Sequence, residues 1–441
     1  MKKASWIALI LVLIIALTAC STGSPNAPAS NQKVELRYMG TETVGGPPNE
    51  ILLAMLEKFH KENPNITIQA DLLPSADLRT KITVEMAAGN PPEISCCIAS
   101  YATEFMRDNR IEDWNPIIDA NPEFNEWYHR KNIDNMAYSD GRIMMMPTEA
   151  SIDGFYYNTE IFEKYGWAPP KTFDDLVVLA EKAKAEGINL LVAGGKDIRF
   201  AWLASALMAR TAGKEKTDAL CLGDAKDQWD NPEYGFVTAM TKFKELVDAG
   251  AYPTGVLGLS STEADQAFAR GEAAMYYEGA WKAANFETAG GREFVDKLQR
   301  IEFPAFTDCP DGNPEIRVGG NIWGLMIPVG LDDATKEACI TFAKYYCAPE
   351  YNAQLMETGA RVFAGICEYD RTKTLNVFNQ CVDAYLEAPE YMLSMDSYAA
   401  PSIDLAIKQT AMPGIISGEF DVAKAVAEVQ KAAEDYLKGQ K

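Results

Sequence analysis

The chain has 441 residues, of which 47% are apolar and 24% are charged, a composition typical of globular proteins and not of disordered or polytopic membrane proteins. Its 63 acidic side chains outnumber its 41 lysines and arginines, which gives a formal charge of -22. Because nucleic-acid binding depends on clustered cations, we expect no nucleic acid as a partner. The two histidines, His60 and His129, exclude a multi-histidine metal site, and we expect neither a metal nor a cofactor.

The N-terminus has the order of an export signal. Two lysines precede an apolar run over residues 6–19, and Cys20 follows the run. The run is shorter than the ~20 residues that a membrane-spanning helix needs. Leu17-Thr18-Ala19-Cys20 resembles a bacterial lipoprotein box, so we predict a signal peptide over residues 1–19 and lipidation of Cys20. An anchor helix and an ordinary signal peptide with an unmodified Cys20 are the alternatives.

Residues 20–32 are small, polar and without an apolar period, and they predict a flexible tether after the lipidated cysteine. The protein is then exported and held at the outer face of the cell membrane by its lipid alone. Eight further cysteines follow Cys20 without any Cys-x-x-Cys spacing, which excludes a zinc or thioredoxin-like motif. We predict mostly free thiols among them, with disulfides as the alternative.

The next part of the chain alternates between strand and helix patterns. Apolar residues recur with a period of two or as short runs at 34–38, 66–69 and 94–98, and with a helical period at 51–59 and 78–86. Gly89 ends the second helix. This β-α-β-α-β order predicts a parallel sheet covered by helices, with a ligand crevice outside the carboxyl ends of the strands.

The same alternation begins again after residue 150. Thr172 and Asp175 form a variant of the capping box at the start of a helix that Gly187 ends, and residues 188–192 predict a strand. Two α/β units are therefore joined near residues 147–158. A last amphipathic helix begins at Asp421.

Several short segments resemble, in order, those of family 1 extracellular solute-binding proteins, the receptors that deliver sugars to ABC importers. The segments are Phe59–Ile68, Met86–Ile94, Gly154–Glu163, Pro169–Leu176, Gly271–Met275 with Gly279-Ala280-Trp281, Gly319-Gly320, Ile327-Pro328 and Ser417–Glu419. Glu93, Phe173 and Asp175 depart from the family pattern. Matches in this order cover almost all of the chain that follows the tether.

The resemblance implies an α/β, two-lobed, periplasmic-binding-protein-like fold of type II, in which crossing hinge strands join two mostly parallel, helix-flanked sheets. Lobe 1 would comprise residues 33–148 and about 318–360, and lobe 2 about 152–316 and 361–441. The ligand would lie in the cleft between them, and closure would be a hinge motion. The implied protein is a monomer that captures a carbohydrate, with an oligosaccharide as the expected class, and delivers it to membrane permease subunits without catalysis.

A sugar presents apolar C–H faces and many hydroxyl groups, so a sugar cleft needs aromatic rings beside carboxylates, amides and guanidinium groups. The first candidate is Trp281, where the family stacks a sugar; a core tryptophan is the alternative. Thr41 and Glu42 follow the first strand and would face the crevice, although Glu42 could be a solvated loop acid. Ser100 and Tyr101 would occupy the equivalent loop after the strand at 94–98, with packing as the alternative for Tyr101.

The crossing segments supply the other candidates. Strand alternation places Glu149, Ser151 and Asp153 on one face, and one of the two acids would face the ligand or make a hinge hydrogen bond. Where Gly194-Gly195 turns the chain, polar groups would point at the cleft. The further candidates are Asp197, Arg199, Trp202, Trp323 and Arg361. A surface Asp197–Arg199 pair and a core role for Trp323 are the alternatives.

The sequence contains no Walker loop, dinucleotide fingerprint or nucleophile elbow. Two alternative functions stay open. One is a receptor for a peptide, a polyol or a glycerol phosphate, and the other is a secreted glycoside hydrolase, whose pair of acids cannot be recognised without distances.

Overall fold

The structure is a computed structural model that describes residues 33–42 and 47–439. The predicted signal peptide, Cys20 and the tether lie outside the described residues. The strands are β1 Val34–Gly40, β2 Ile66–Leu72, β3 Ile94–Ile98, β4 Met146–Asn158, β5 Asn189–Val192, β6 Ala273–Gly279, β7 Leu298–Ile301, β8 Ile316–Met326, β9 Val362–Phe363 and β10 Glu390–Met392.

Helices are more numerous than strands in the described residues. The α-helices are α1 Pro47–Glu62, α2 Ser75–Ala88, α3 Ala99–Arg107, α4 Asn115–Ala120, α5 Glu123–Trp127, α6 Arg130–Asp134, α7 Thr159–Tyr165, α8 Phe173–Ala185, α9 Ala201–Thr211, α10 Gly213–Cys221, α11 Phe236–Asp248, α12 Ser261–Ala269, α13 Lys282–Val295, α14 Asp333–Tyr346, α15 Pro349–Glu357, α16 Asn376–Leu386, α17 Pro401–Leu405, α18 Met412–Ser417 and α19 Val422–Gly439. Short 3-10 turns cover Pro232–Tyr234, Val256–Gly258 and Met395–Ser397, and a π-helical turn covers Ala406–Ala411.

The strands form one curled sheet in the order β2-β1-β3-β8-β4-β6-β5, with β7 and β9 paired to β4 and β10 paired to β8. β1 pairs in parallel with β2 and β3, and β5 pairs in parallel with β6. β8 and β4 run antiparallel to their neighbours in the middle of the order. The predicted α/β solute-binding fold is confirmed, with parallel pairs at the two ends of the sheet order and a further parallel pair between β8 and β10.

Local sequence signals explain the helix ends that were predicted. Gly89 adopts a φ of 73° after α2, a left-handed conformation that favours glycine. The Thr172 hydroxyl and the Asp175 carboxylate form the capping box at the start of α8. The Asp421 carboxylate accepts a hydrogen bond from the amide of Lys424 at the start of α19. All three predicted boundaries are confirmed.

Two hydrophobic cores flank the crossing strands. Core 1 includes Leu36, Phe59 and Phe342, and core 2 includes Trp229 and Phe236, all fully buried. The predicted lobe boundaries stay a prediction.

Strand β4 contributes to both cores. Ile152 and Tyr156 pack in core 1, whereas Phe155 packs in core 2. Along its length β4 pairs first with β8 and then with β6. Gly319 of β8 has a φ of 141°, and an added Cβ would overlap the backbone of Ser151 on β4. This close approach explains the glycine at 319, and a φ of 111° favours the glycine at 320.

The prediction that Ser100 and Tyr101 lie in a loop was wrong. Helix α3 begins at Ala99, directly after β3, so both residues lie in its first turn. The reason is that Ala99, Ala102 and Phe105 bury one helical face in core 1. Within the described residues, no helix is both long and apolar enough to cross a membrane.

Candidate functional site

Residues from both cores surround a cavity of about 260 Å³, called here the tryptophan cavity. Ile98 and Trp323 of its lining belong to core 1, and Trp202 packs against core 2. The lining consists of three indoles, four charged side chains, five hydroxyl side chains and two isoleucines: Trp202, Trp281, Trp323, Arg79, Glu149, Arg199, Asp396, Thr41, Ser75, Ser151, Ser394, Ser397, Ile98 and Ile322. Such a mixture of rings and convergent polar groups is typical of a small-molecule site.

The position of the Trp281 indole depends on a glycine two residues earlier. Gly279 ends β6 and Trp281 directly precedes α13. A Cβ added at Gly279 would overlap the indole ring, which folds back over the glycine. The ring centroid lies 6.3 Å from that of Trp202 in an edge-to-face arrangement. The Gly-x-Trp motif therefore holds the indole at the cavity wall.

Guanidinium groups lie over the other two indoles. The Arg199 guanidinium lies 4.5 Å from the Trp202 ring centroid, and the Arg79 guanidinium lies 5.6 Å from that of Trp323. The Arg199 Nε is also 3.4 Å from a carboxylate oxygen of the fully buried Glu278. Arg199 therefore pairs with Glu278, whereas the sequence suggested Asp197 as its possible partner.

The polar residues of β4 lie at different depths. Glu149 and Ser151 line the cavity, while Asp153 is only 3% exposed and accepts a hydrogen bond from the Ser151 hydroxyl. Desolvation raises the pKa of Glu149 to about 7, against the opposing field of Arg361. Desolvation and the neighbouring Glu278 raise the pKa of Asp153 well above its ordinary value. The crossing strand thus brings one acid that titrates near neutral pH, Glu149, to the cavity and buries a second, Asp153, outside its lining.

Glu42 and Arg361 lie outside the cavity lining and pair with each other. Their side chains approach to 3.5 Å, and the residues are 5% and 9% exposed. The Tyr346 hydroxyl donates to Glu42 and lies 3.0 Å from Arg361, whose other terminal nitrogen donates to Asn352. This network sets the field felt by Glu149, because both charges act on its pKa.

The structure brings half of the predicted site residues to the tryptophan cavity: Thr41, Glu149, Arg199, Trp202, Trp281 and Trp323. Glu42, Asp153 and Arg361 are buried outside the lining. Ser100 and Tyr101 lie on α3, and the exposed Asp197 accepts a hydrogen bond from the Ser261 amide. None of these last three lines the cavity. The binding roles of all twelve stay predictions.

Sequence reasoning missed Arg79 and Asp396, the two remaining charged residues of the lining. Arg79 lies next to Leu78, which was recognised only as part of a core stripe of α2. Asp396 lies in the short Met395–Ser397 turn, for which no element was predicted. The small polar residues Ser394, Asp396 and Ser397, close together in the chain, were the available signal.

Residues 45–353 match the family model described as bacterial extracellular solute-binding protein. The chain belongs to that family. Membership of this family agrees with the fold, because residues from both cores line the tryptophan cavity.

Individual relatives agree with this assignment. An uncharacterised ABC transporter extracellular-binding protein, PH1039 of Pyrococcus horikoshii, is 26% identical over 64% of this chain and 67% of its own length. Maltodextrin-binding protein MdxE of Bacillus subtilis is 27% identical over 66% of each chain. Some other curated relatives are matched over only about half of their length.

A solved structure described as a chitin oligosaccharide binding protein shares the fold of this chain. It superposes with a TM-score of 0.79 and 24% identity, covering 91% of this chain and 98% of its own. As an extracellular solute-binding protein, the chain is exported, takes a small molecule as its ligand and has permease subunits as partners. The related proteins are binding proteins of ABC transporters and not enzymes.

The raised pKa of Glu149 predicts a pH-dependent stability. An unfolded glutamate has a pKa near 4.5, so the folded state holds a proton that the unfolded state loses between about pH 4.5 and 7. The contribution of Glu149 to stability therefore falls as the pH rises through this window. We expect Glu149→Gln to melt progressively higher relative to wild type between pH 5 and pH 8, as measured by calorimetry.

A glutamate on the surface provides the control for this measurement. Glu181 is exposed on α8, and Glu181→Gln should change the melting temperature equally at both pH values. A melting difference for Glu149→Gln that is constant from pH 5 to pH 8 would contradict the titration of Glu149 in this range.

Proposed function

We propose that this protein is the carbohydrate receptor of an ABC importer and that the tryptophan cavity holds the sugar. The observation that supports the proposal is the meeting of three indoles, two carboxylates and five hydroxyl groups in one cavity that both cores line. The rings offer apolar surfaces for the C–H faces of a sugar, and the polar groups exchange hydrogen bonds with its hydroxyls. The name of MdxE, a maltodextrin-binding protein, supports the same ligand class.

The charges of the cavity favour an uncharged ligand. Two arginines, Arg79 and Arg199, line it together with two acids, Glu149 and Asp396. A phosphate carries about two negative charges and is bound by an excess of cationic donors. A glycerol phosphate would therefore add negative charge to a site without such an excess. A neutral oligosaccharide adds hydroxyl groups alone.

Calorimetry tests this proposal directly. Maltotriose, raffinose, xylotriose and chitotriose are titrated into the protein, alongside sorbitol, trialanine and sn-glycerol 3-phosphate. We expect a saturable heat with at least one of the sugars, and intact sugar recovered by chromatography. Binding restricted to the phosphate or the peptide would overturn the carbohydrate assignment, and shortened sugar products would indicate a glycoside hydrolase.

Trp281 should supply the stacking surface. We expect Trp281→Ala to weaken binding of that sugar by about 1 kcal/mol or more, with little loss of thermal stability. Gly279→Ala should also weaken it, because the added methyl displaces the indole ring. Gly258→Ala is the matched control, since its Cβ meets open space and its φ is not in the left-handed region. Unchanged calorimetric affinity in Trp281→Ala would exclude this ring from the site.

We also propose that the exported chain is lipidated at Cys20 and held at the outer face of the membrane through the tether at 20–32. Cys20→Ser should release the protein from the membrane fraction, as measured by fractionation and immunoblotting. Cys309→Ser, a change at a partly exposed thiol far along the chain, is the control and should stay with the membrane. Retention of Cys20→Ser in the membrane fraction would contradict lipid anchoring.

A further inference from the structure

An irregular turn interrupts the helical segment at 401–417. Helix α17 continues into the π-helical turn Ala406–Ala411, which continues into α18. Pro413 lies in the first turn of α18, has no amide proton and would crowd the carbonyl of Gln409 in a regular α-helix. The π turn directly precedes the helix that carries this proline, and such turns are frequent at functional sites. It also carries the buried Lys408.

Lys408 contacts two acids and one indole, and one of these acids and the indole belong to the candidate site. Its ammonium group lies 3.4 Å from an Asp396 carboxylate oxygen and 2.9 Å from one of Asp404. It also lies 5.3 Å from the ring centroid of Trp202. Asp396 and Trp202 line the tryptophan cavity, and Lys408 does not. Any effect of Lys408 on a ligand is therefore transmitted through these two residues.

The Asp396 turn is fixed to the helix that carries Trp202. The Met395 amide donates to the hydroxyl of Ser205 on α9 at 3.0 Å, and the Ser205 and Ser394 hydroxyls lie 3.2 Å apart. The positions of Asp396 and Trp202 at the cavity wall are therefore coupled through Ser205. Lys408, which does not line the cavity, contacts both side chains.

Several charges act on the Asp396 carboxylate. Lys408 and Arg79 favour its ionised form. The negative charge of Asp396 in turn raises the pKa values of Asp404 and Asp153. Desolvation alone would raise its pKa, yet the pKa is lowered, with Lys408 as the first opposing cause. Desolvation raises the pKa of Asp404, which shares Lys408, to about 6.

We propose that Lys408 is a positioning residue of the sugar site, which holds Asp396 as a carboxylate and sets the orientation of Trp202 for the ligand. This inference rests on the proposed function. An ionised Asp396 only accepts hydrogen bonds, so it selects a ligand group that donates, such as a pair of neighbouring sugar hydroxyls. The same ionised carboxylate disfavours ligands that present only hydrogen-bond acceptors, because it has no proton to donate.

The first measurement needs no ligand. The Asp396 carboxyl signal is followed by carbon-13 NMR titration, with Asp396→Asn for its assignment. In wild type we expect this carboxyl to titrate below the range of an ordinary aspartate. In Lys408→Met its pKa should rise by about two to three units, because an opposing charge is lost in a buried site. Lys408→Arg should restore the wild-type titration, since it keeps the charge.

The second measurement is the affinity for the sugar that binds most tightly in the calorimetric panel. At pH 5 we expect Lys408→Met to bind about tenfold more weakly than wild type, because a charge-assisted hydrogen bond is lost. At pH 8 the ratio of the two dissociation constants should be several-fold smaller, since Asp396 is then ionised in both proteins. Groups that titrate alike in both proteins, Glu149 included, change both dissociation constants by the same factor, so their effect cancels in the ratio. A merely structural role would weaken binding equally at both pH values.

Lys424→Met is the matched control. Lys424 also lies over an aromatic ring, that of Phe420, but it is exposed and does not line the cavity. It should leave both measurements unchanged. An Asp396 carboxyl that titrates identically in wild type and Lys408→Met would overturn the proposal, as would an affinity ratio independent of pH. Absence of binding to every sugar by wild type would instead reject the proposed function, and the carboxyl titration would still decide the charge-setting role of Lys408.

Discussion

The structure depends on one strand that is buried between two hydrophobic cores. Strand β4 carries Ile152 into core 1 and Phe155 into core 2, so the two cores are joined through neighbouring positions of one chain. A strand in this position normally consists of apolar residues on both faces. Glu149 and Ser151 break that rule where the strand passes the tryptophan cavity. The conflict between burial and polarity marks the site before any ligand is considered.

Burial of acids at the crossing has an energetic cost that local partners offset only in part. Glu278 is fully buried near Arg199, and Asp153 accepts one hydrogen bond from Ser151 while its second oxygen has no partner in the described structure. A buried carboxylate without full pairing is unfavourable, and desolvation raises the pKa of Asp153 well above its ordinary value. Groups with raised pKa values collect at functional sites. The raised pKa values of Glu149 and Asp153 therefore agree with a functional site at the tryptophan cavity.

Sequence reasoning was most reliable where a local rule determines the structure. The Thr172 capping box, the Gly89 helix end and the strand at 94–98 each depend on a few neighbouring residues, and all three are confirmed. The same reasoning placed Ser100 and Tyr101 in a loop, because the apolar period of α3 was not recognised. Asp396 was missed for a different reason, since its place in the cavity depends on tertiary contacts.

Those tertiary contacts connect residues far apart in the chain. Ser205 fixes the Asp396 turn across 190 positions, and no local pattern encodes that contact. Arg79 is similar, because only the fold shows that its guanidinium lies over Trp323. Indoles were easier to predict, since a pattern such as Gly-x-Trp at 279–281 is visible in a few neighbouring residues. All three indoles of the cavity were therefore predicted from the sequence, whereas two of its four charged residues, Arg79 and Asp396, required the structure.

The three indoles of the cavity are not equivalent. Trp202 and Trp323 each have a cation over the ring, and such a contact occupies an aromatic face. Trp281 has no cation over its ring among the described residues, and Gly279 keeps its position at the wall. Under the proposed function, a sugar face would meet the unoccupied ring of Trp281, and the guanidinium groups on the other two rings would offer donors to hydroxyl oxygens. The proposed function thus assigns the apolar face of the sugar and its hydroxyl groups to different walls of the same cavity.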